Sequence, residues 1–389
     1  MNIPPDSILR HWYAAFDNSE VWPSWRIATG LACVGGALGR NAWFDYGNLG
    51  KIWPNSPVLL VGLSGKGKDT INEPAAEVLT NAGVKRVNGK TMESVYLSLH
   101  NIGNPAVGVI FAGELKEFFG AKDYQSGLLE GFTTLFSNNK EVDITTKQDL
   151  LAGGKKVIHN PGLTMFAGST VEWLQKIDGI MDSGFLPRFI VAVELGKGNH
   201  FVPNPGRYES IAEKHRIEGA KAIFQSEITA LREQYAAKPK VIVDEEEAGY
   251  FFYNWYANRT NYFPPTLQAY AQRSGNLMRK IAMLMAISRG HDWIEVQDYE
   301  FSSAFVIHGA TRLEQAVIPL NPTVACGEEI LRCLPATQPQ LLRKLSPKFG
   351  PLMVKSSILY LGEIGQITLL EDRRTIILLK EGHGPSSSS

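Results

Sequence analysis

The chain has 389 residues, 44% hydrophobic and 20% charged, which is enough for two or three domains with a large core. Its 39 basic and 39 acidic residues cancel, so nucleic acid would have to be contacted through local basic patches. Three cysteines without C-x-x-C spacing exclude a disulfide framework and a cysteine zinc site. The cysteine usage fits a reducing, cytoplasmic compartment. We expect a soluble protein without a membrane partner, because no stretch reaches the about 18 uncharged apolar residues of a membrane span.

The N-terminal region, residues 1–55, is predicted to be helical. Apolar residues recur at helical spacing over residues 6–16 and 25–38, and a short aromatic strand follows over residues 41–45. Prolines at positions 54 and 57 then separate this region from the next strand.

Residues 58–61 form an apolar run that predicts a buried strand leading into a glycine-rich turn. Gly62, Gly67 and Lys68 have the spacing G-x-x-x-x-G-K of a phosphate-binding loop. In such a loop backbone N–H groups face phosphate oxygens, the lysine reaches the outer phosphates, and the N-terminus of the next helix favours an anion. The predicted nucleotide site consists of Gly62, Ser64, Gly65, Lys66, Gly67, Lys68, Asp69 and Thr70.

One position departs from this pattern. The residue after the lysine is usually Ser or Thr, whose hydroxyl binds Mg²⁺, whereas here Asp69 and then Thr70 follow Lys68. We assign Asp69 and Thr70 as candidate Mg²⁺ ligands. The alternative interpretation, a glycine-rich surface turn, leaves Lys68 and the glycines without a shared role.

Residues 106–112 form a second apolar run, of the kind buried in a parallel sheet. Glu114 follows it, and a carboxylate at the carboxyl end of a strand beside a phosphate loop can orient the attacking water or hold Mg²⁺ through water. Gly113 takes the place of the Asp in the usual Asp-Glu pair. Glu114 is therefore the candidate catalytic carboxylate, and a solvated Glu that opens a helix over residues 115–119 is the alternative.

Two extended segments, residues 141–146 and 155–159, predict a β-hairpin inserted between core strands. Lys147, Lys155 and Lys156 on this hairpin are candidate DNA contacts. The alternative is an edge hairpin whose lysines discourage pairing with another sheet.

A third buried strand, residues 163–168, ends in Ser169 and Thr170. Their hydroxyls could sense a γ-phosphate or cap the following helix. A lone arginine, Arg188, then stands at the start of a fourth apolar strand over residues 189–193. Residues 208–318 read as mainly helical.

The C-terminal region, residues 321–383, reads as three short helices followed by a hairpin, which is the order of a winged helix. Basic residues outnumber acidic ones here, so DNA contact and protein docking are both open roles. Lys355, Arg373 and Arg374 are the candidate DNA contacts, and residues 384–389 are predicted to be a disordered tail.

In their order along the chain these motifs resemble those of the P-loop ATPases of phage and prophage replication, which are similar to AAA+ or superfamily-3-type ring helicases. The phosphate loop at residues 62–70, the acidic motif at 112–115, the first sensor at 169–170 and the arginine-finger segment at 183–189 carry the resemblance, which covers about residues 25–193.

The resemblance implies ATP and Mg²⁺ as cofactors and a homo-oligomeric ring, a hexamer, with DNA as its substrate. It implies catalytic roles for Lys68, Glu114 and Arg188, the last offered to the nucleotide of a neighbouring subunit. It also implies a lid helix with a second sensor arginine, Arg273 or Arg279. The alternative for either arginine is a surface position on an amphipathic helix.

We therefore expect an α/β fold with a P-loop, AAA+-like ATPase core at residues 56–200, a helical lid at 201–320 and a C-terminal winged helix. The leading functional hypothesis is a replicative DNA helicase of the phage or prophage type. An ATP-binding initiator or helicase loader that works with replication proteins is the alternative. A small-molecule kinase is a third hypothesis, but a kinase has no need of Arg188 in a neighbour or of a basic winged helix.

Overall fold

The computed structural model describes residues 3–63, 67–89, 91–118, 125–137, 139–145, 154–175, 184–196, 210–263, 267–317, 326–327, 329–331, 333–334, 336–363, 367–370 and 376–379. The chain forms two compact units, Met1–Ala316 and Val317–Ser389. The predicted N-terminal segment, ATPase core and lid all fall in the first unit, apart from the last residues of the lid.

Twelve α-helices have described bounds: α1 (Leu9–Ala14), α2 (Pro23–Leu38), α3 (Asp69–Asn81), α4 (Met92–Ile102), α5 (Gln125–Leu135), α6 (Val171–Leu174), α7 (Ile211–Ala237), α8 (Glu246–Asn258), α9 (Gln268–Ser288), α10 (Val296–Val317), α11 (Gln338–Phe349) and α12 (Pro351–Glu363). Short 3-10 helices are described at Gly47–Leu49, Leu115–Glu117, Leu186–Arg188 and Arg259–Tyr262.

The described strands are β1 (Ala42–Asp45), β2 (Lys51–Ile52), β3 (Val58–Gly62), β4 (Lys85–Arg86), β5 (Val107–Ala112), β6 (Glu141–Asp143), β7 (Val157–His159), β8 (Gly162–Ser169), β9 (Ile190–Glu194), β10 (Lys240–Asp244), β11 (Trp293–Ile294), β12 (Ala336–Thr337), β13 (Ile367–Leu370) and β14 (Ile376–Leu379).

A five-stranded parallel sheet in the order β4-β5-β8-β3-β9 forms the centre of the first unit. Every residue of β3 and β8 is buried, which explains why these strands are continuous apolar runs. Helices α2 and α3 pack on the sheet and on each other. The four predicted core strands and the mixed α/β fold with a parallel sheet are therefore confirmed, and the carboxyl ends of β3, β5 and β8 meet at one edge.

A second sheet, in the order β11-β10-β1-β2, joins the N-terminal segment to the predicted lid. Strand β1 pairs in parallel with β10, so that Ala42 lies beside Lys240. The prediction that residues 208–318 are mainly helical missed β10 and β11. The helical periodicity of the long neighbouring helices dominates the hydrophobic pattern of this region and hid the short strand. Within β10 only the central residue, Ile242, is buried.

The predicted hairpin is present as the antiparallel pair β6 and β7, in which Glu141 lies opposite His159. Its base is attached to the core, because Ala106 N donates to the His159 carbonyl oxygen at 3.0 Å. His100 Nδ1 also lies 2.9 Å from the Val157 carbonyl oxygen. Residues 146–153, which include the turn, lie outside the described residues.

In the second unit α11 and α12 share a core with the sheet β12-β14-β13. Strands β13 and β14 are antiparallel, as expected for the C-terminal hairpin. The winged-helix assignment itself stays a prediction. Over the part of the chain with described structure, no helix has the length and apolar character that a bilayer crossing requires.

Candidate functional site

Lys68 lies between the end of β3 and the start of α3, where the sequence predicts the phosphate-binding lysine. Its side chain is only 5% exposed, and its ammonium donates to the carbonyl oxygens of Gly62 at 3.3 Å and Leu63 at 3.1 Å. Burial lowers the pKa of Lys68, and the nearby carboxylate of Glu114 opposes this shift most strongly. The motif thus places a partly desolvated cation at the carboxyl edge of the sheet.

Two glycines of the motif are required by the local geometry. Gly67 has a φ of +74°, a conformation that residues with a side chain rarely adopt. At Gly62 a Cβ would lie 2.9 Å from the ring of Trp25, which α2 holds against β9 through a hydrogen bond from Nε1 to Ala192 O at 3.2 Å. Ser64, Gly65 and Lys66 lie outside the described residues.

Glu114 is brought to the same edge as Lys68 by the register of the sheet. Strand β8 lies between β3 and β5 and pairs with both, so the three strands end side by side. Glu114 follows β5 in an extended conformation and begins the 3-10 helix Leu115–Glu117, in place of the longer helix expected in the alternative interpretation. Its side chain is half-buried, and its charge acts on Lys68.

Gly168 is a site residue that the sequence analysis missed. A Cβ at this position would lie 2.6 Å from the carbonyl oxygen of Gly113 and 3.3 Å from Cε of Lys68. Only glycine lets the backbone before Glu114 and the stem of Lys68 both lie against β8. The sequence did contain a signal for this role, because a glycine inside a buried strand often marks a place where another segment of backbone or a ligand lies close to the strand.

Ser169 and Thr170 end β8 beside β3, as predicted. The buried Ser169 hydroxyl donates to the Thr170 carbonyl oxygen at 3.1 Å. Thr170 occupies the N-cap position of α6, but its side chain makes no capping hydrogen bond. Glu172, in the first turn of α6, is a further carboxylate that acts on the pKa of Lys68, and the sequence analysis gave it no acidic role.

The candidate Mg²⁺ ligands, Asp69 and Thr70, are exposed in the first turn of α3. Among the described residues, no group of three His, Cys, Asp or Glu side chains could hold a metal ion. Mg²⁺ is commonly bound by one or two carboxylates together with substrate phosphates and water. Asp69, Thr70 and Glu114 carry the oxygen atoms that Mg²⁺ prefers as ligands, but the described residues form no protein cage for the ion.

Arg188 lies at the opposite end of the sheet from Lys68. It precedes β9, whose first residue pairs with the first residue of β3, whereas Lys68 lies beyond the last residue of β3. At about 3.3 Å per strand residue, the offset from Val58 to Gly62 alone separates these two ends of the sheet by roughly 13 Å. The guanidinium of Arg188 donates to the Ser137 hydroxyl at 3.1 and 3.3 Å and to the Gly184 carbonyl oxygen.

Arg279 belongs to the core of the first unit and is not brought to Lys68 by any described contact. It is 2% exposed and pairs with Asp244 at 3.1 Å, and its Nε donates to the Tyr299 hydroxyl at 3.0 Å. The ring of Phe252 lies 3.7 Å from the guanidinium carbon. The surface interpretation is therefore wrong for Arg279, whose guanidinium is engaged by these structural partners, whereas Arg273 on the same helix is exposed.

The candidate DNA contacts lie on two separate elements. Lys155 is 69% exposed and lies 3.5 Å from Asp143 across the hairpin. Lys156 is half-buried, and its backbone N–H donates to the Thr145 hydroxyl at 3.0 Å. Lys355 is exposed on α12. Lys147, Arg373 and Arg374 lie outside the described residues.

No protein-family profile matches this chain, and no curated protein sequence is significantly similar to it. The functional interpretation therefore rests on the geometry around Lys68 and on the resemblance carried by the motifs.

Proposed function

We propose that this chain is an ATPase that binds ATP at residues 62–70. The observation that carries the proposal is the position of Lys68, which is buried beside Glu114 at the shared carboxyl edge of three parallel strands. Ligands of open parallel sheets bind at this edge, where helix N-termini and strand ends face the same space.

The side chains have separate roles in the proposed reaction. The ammonium of Lys68 stabilises the charge on the outer phosphates, and its burial makes that interaction stronger than it would be in water. Glu114 orients the attacking water, and the N-terminus of α3 faces the phosphates. Mg²⁺, held by the phosphates with Asp69, Thr70 or Glu114, would neutralise developing charge when bound.

The proposed assembly is a homo-oligomeric ring, a hexamer, with ATP between subunits. Lys68 and Arg188 lie at opposite ends of one sheet, which favours contacts with the nucleotides of two different chains over a shared contact within one chain. A neighbouring subunit that presents Arg188 would supply the transition-state contact. This arrangement is the one that the resemblance to phage and prophage replication ATPases implies.

DNA is the proposed substrate, and a replicative helicase of the phage or prophage type, acting in the cytoplasm, is the proposed function. The hairpin β6–β7 supports it by presenting the exposed Lys155. The alternative is an ATP-binding initiator or helicase loader. It is favoured by Gly113, which takes the place of the Asp in the usual Asp-Glu pair and leaves Glu114 as the single carboxylate of that motif.

ATP turnover with and without single-stranded DNA, followed by strand separation of a forked duplex, tests the proposal. A helicase hydrolyses ATP faster with DNA and separates the fork without other proteins. DNA-stimulated turnover without strand separation would favour the initiator or loader. Turnover that DNA leaves unchanged would contradict both DNA functions.

A further inference from the structure

A cavity of about 350 Å³ lies where β9 begins, away from Lys68. Its volume falls in the range typical of sites for small ligands. Pro187 and Arg188 border it on one side and helix α9 on the other. The polar side chains that line it are Ser137, Arg188, Gln272, Arg273, Asn276 and Lys280.

The charged groups of the cavity are all positive among the described lining residues. Arg188, Arg273 and Lys280 are the three basic side chains, and none of the three forms an ion pair with a described carboxylate. Lys280 is only 7% exposed, and its ammonium donates to the Asn55 carbonyl oxygen at 3.2 Å. Burial together with the charges of Arg40 and Arg188 lowers the pKa of Lys280 to about 7.

Gly184 brings two of these cations together. It has a φ of +73°, and the guanidinium of Arg273 occupies the space that a side chain on Gly184 would need. Nη1 of Arg188 lies 3.2 Å from the same point. Arg188 is half-buried and Arg273 is exposed, and burial together with the charge of Arg273 lowers the pKa of Arg188. Like charges this close repel each other, and an anion between them would relieve the repulsion.

Neutral donors complete the cavity. The side-chain oxygen of Gln272, Oε1, accepts a hydrogen bond from Arg259 at 2.9 Å. The side-chain nitrogen of Gln272 is therefore the donor that its amide can offer to a ligand. The Asn276 amide lies one helical turn further along α9, on the same side as Arg273 and Lys280. Guanidinium, ammonium and amide donors around one space are the groups that bind phosphate oxygens.

We propose that this cavity binds a small phosphorylated molecule, at a site separate from the phosphate loop that shares Arg188 with the proposed contact to a neighbouring subunit's nucleotide. The phosphate lies between Arg188 and Arg273, and its negative charge favours the protonated form of Lys280 in the cavity wall. The ligand class is a phosphate monoester or a polyphosphate of small size, because two guanidinium groups and the Lys280 amine face a confined volume.

Isothermal titration of the full chain with inorganic pyrophosphate tests this proposal in a Lys68→Ala background. Lys68→Ala weakens binding at the phosphate loop in every subunit, and the cavity variants then show how much of the remaining binding belongs to the cavity. We expect one saturable site. Adding Arg273→Gln should weaken it about tenfold to hundredfold, because the variant cannot make the charge-assisted hydrogen bonds to the phosphate. Lys280→Met, which keeps the volume of the side chain, should weaken it as well.

Arg216→Gln is the matched control, because Arg216 is an exposed arginine on α7 that pairs with Asp17 and does not line the cavity. It should leave pyrophosphate affinity unchanged. Thermal unfolding of each variant checks that it is folded. Three results would each overturn the proposal: no binding in the Lys68→Ala protein, binding that Arg273→Gln leaves unchanged, or equal losses with Arg273→Gln and Arg216→Gln.

Discussion

Gly168 is the residue whose replacement should disturb the candidate site most selectively. In Gly168→Ala the new methyl group would meet the Gly113 carbonyl and the stem of Lys68, and the backbone clash at 2.6 Å cannot be relieved by rotating a side chain. We expect a loss of about 1 to 3 kcal/mol in the free energy of unfolding, together with weaker ATP binding. Urea denaturation and calorimetry measure the two effects.

Gly219→Ala is the control for this substitution. Gly219 lies in α7, and a Cβ there would meet nothing within 4 Å. Because alanine favours the helix, this variant should gain up to about 1 kcal/mol. If Gly168→Ala were as stable as the parent and bound ATP equally well, the close approach at Gly168 would have no role in the site.

Lys280 gives a prediction about pH. Its pKa is lowered to about 7 by burial and by Arg40 and Arg188, the cations acting on it, while in the unfolded chain it titrates near 10.5. Between these values the unfolded chain binds a proton that the folded chain lacks, so the free energy of unfolding rises with pH. Lys280→Met removes this contribution.

We expect the parent minus Lys280→Met difference in the free energy of unfolding to increase above pH 7 by up to about 1.4 kcal/mol per pH unit. Urea denaturation of both proteins at pH 6, 8 and 9 measures the difference, and the contributions of other titrating groups cancel in it. Parallel pH profiles of the two proteins would show that Lys280 keeps its proton over this range.

At the scale of elements, α9 carries basic side chains on two of its faces. Arg273, Asn276 and Lys280 face the cavity, whereas Arg279 points to Asp244 and Tyr299. A single amphipathic pattern in the sequence could not distinguish these two faces. The partners of Arg279 are 35 and 20 residues away along the chain, and only the fold brings them to it.

Local signals predicted the central sheet because its strands are buried on both faces and therefore read as continuous apolar runs. The prediction that Lys68 and Glu114 lie at the same edge of the sheet followed from the rule that the carboxyl ends of parallel strands meet at one edge. Strand β4 was missed because it has only two residues, both exposed, and β10 because it lies between long helices. The roles of Gly168 and Lys280 depend on contacts with segments far away in the sequence, and hydrophobic periodicity along the chain does not predict such contacts.

The hairpin β6–β7 carries the element-scale prediction. Replacing Lys155 and Lys156 by Ala should lower the affinity for single-stranded DNA while basal ATP turnover survives. The salt slope should flatten by about 0.7 for each phosphate that the variant no longer neutralises. Fluorescence anisotropy at several salt concentrations measures both quantities.

Lys214→Ala with Lys238→Ala is the matched control, because both lysines are exposed on or beside α7. The control should keep the affinity and salt slope of the parent. If the hairpin variant also kept them, the lysines would act only to protect an edge of the hairpin.

At the scale of the whole molecule, the distance between Lys68 and Arg188 predicts complementation between subunits. Lys68→Ala and Arg188→Ala proteins should each be inactive alone. Mixed assemblies should regain part of the ATP turnover, because some interfaces then pair an intact Lys68 with an intact Arg188. Turnover against mixing ratio measures the recovery. No recovery in assemblies shown to be mixed would place the role of Arg188 within its own chain.

The central claim is that Lys68 holds the phosphates of ATP, and calorimetric titration of the parent and Lys68→Ala proteins with Mg²⁺ and ATP tests it most directly. Lys238→Ala, which removes an exposed lysine just after α7, is the control and should bind ATP as the parent does. The account predicts that Lys68→Ala binds ATP about tenfold to hundredfold more weakly, because the variant has no ammonium to hold the phosphates. Equal ATP affinity in a folded Lys68→Ala protein and its parent would contradict it.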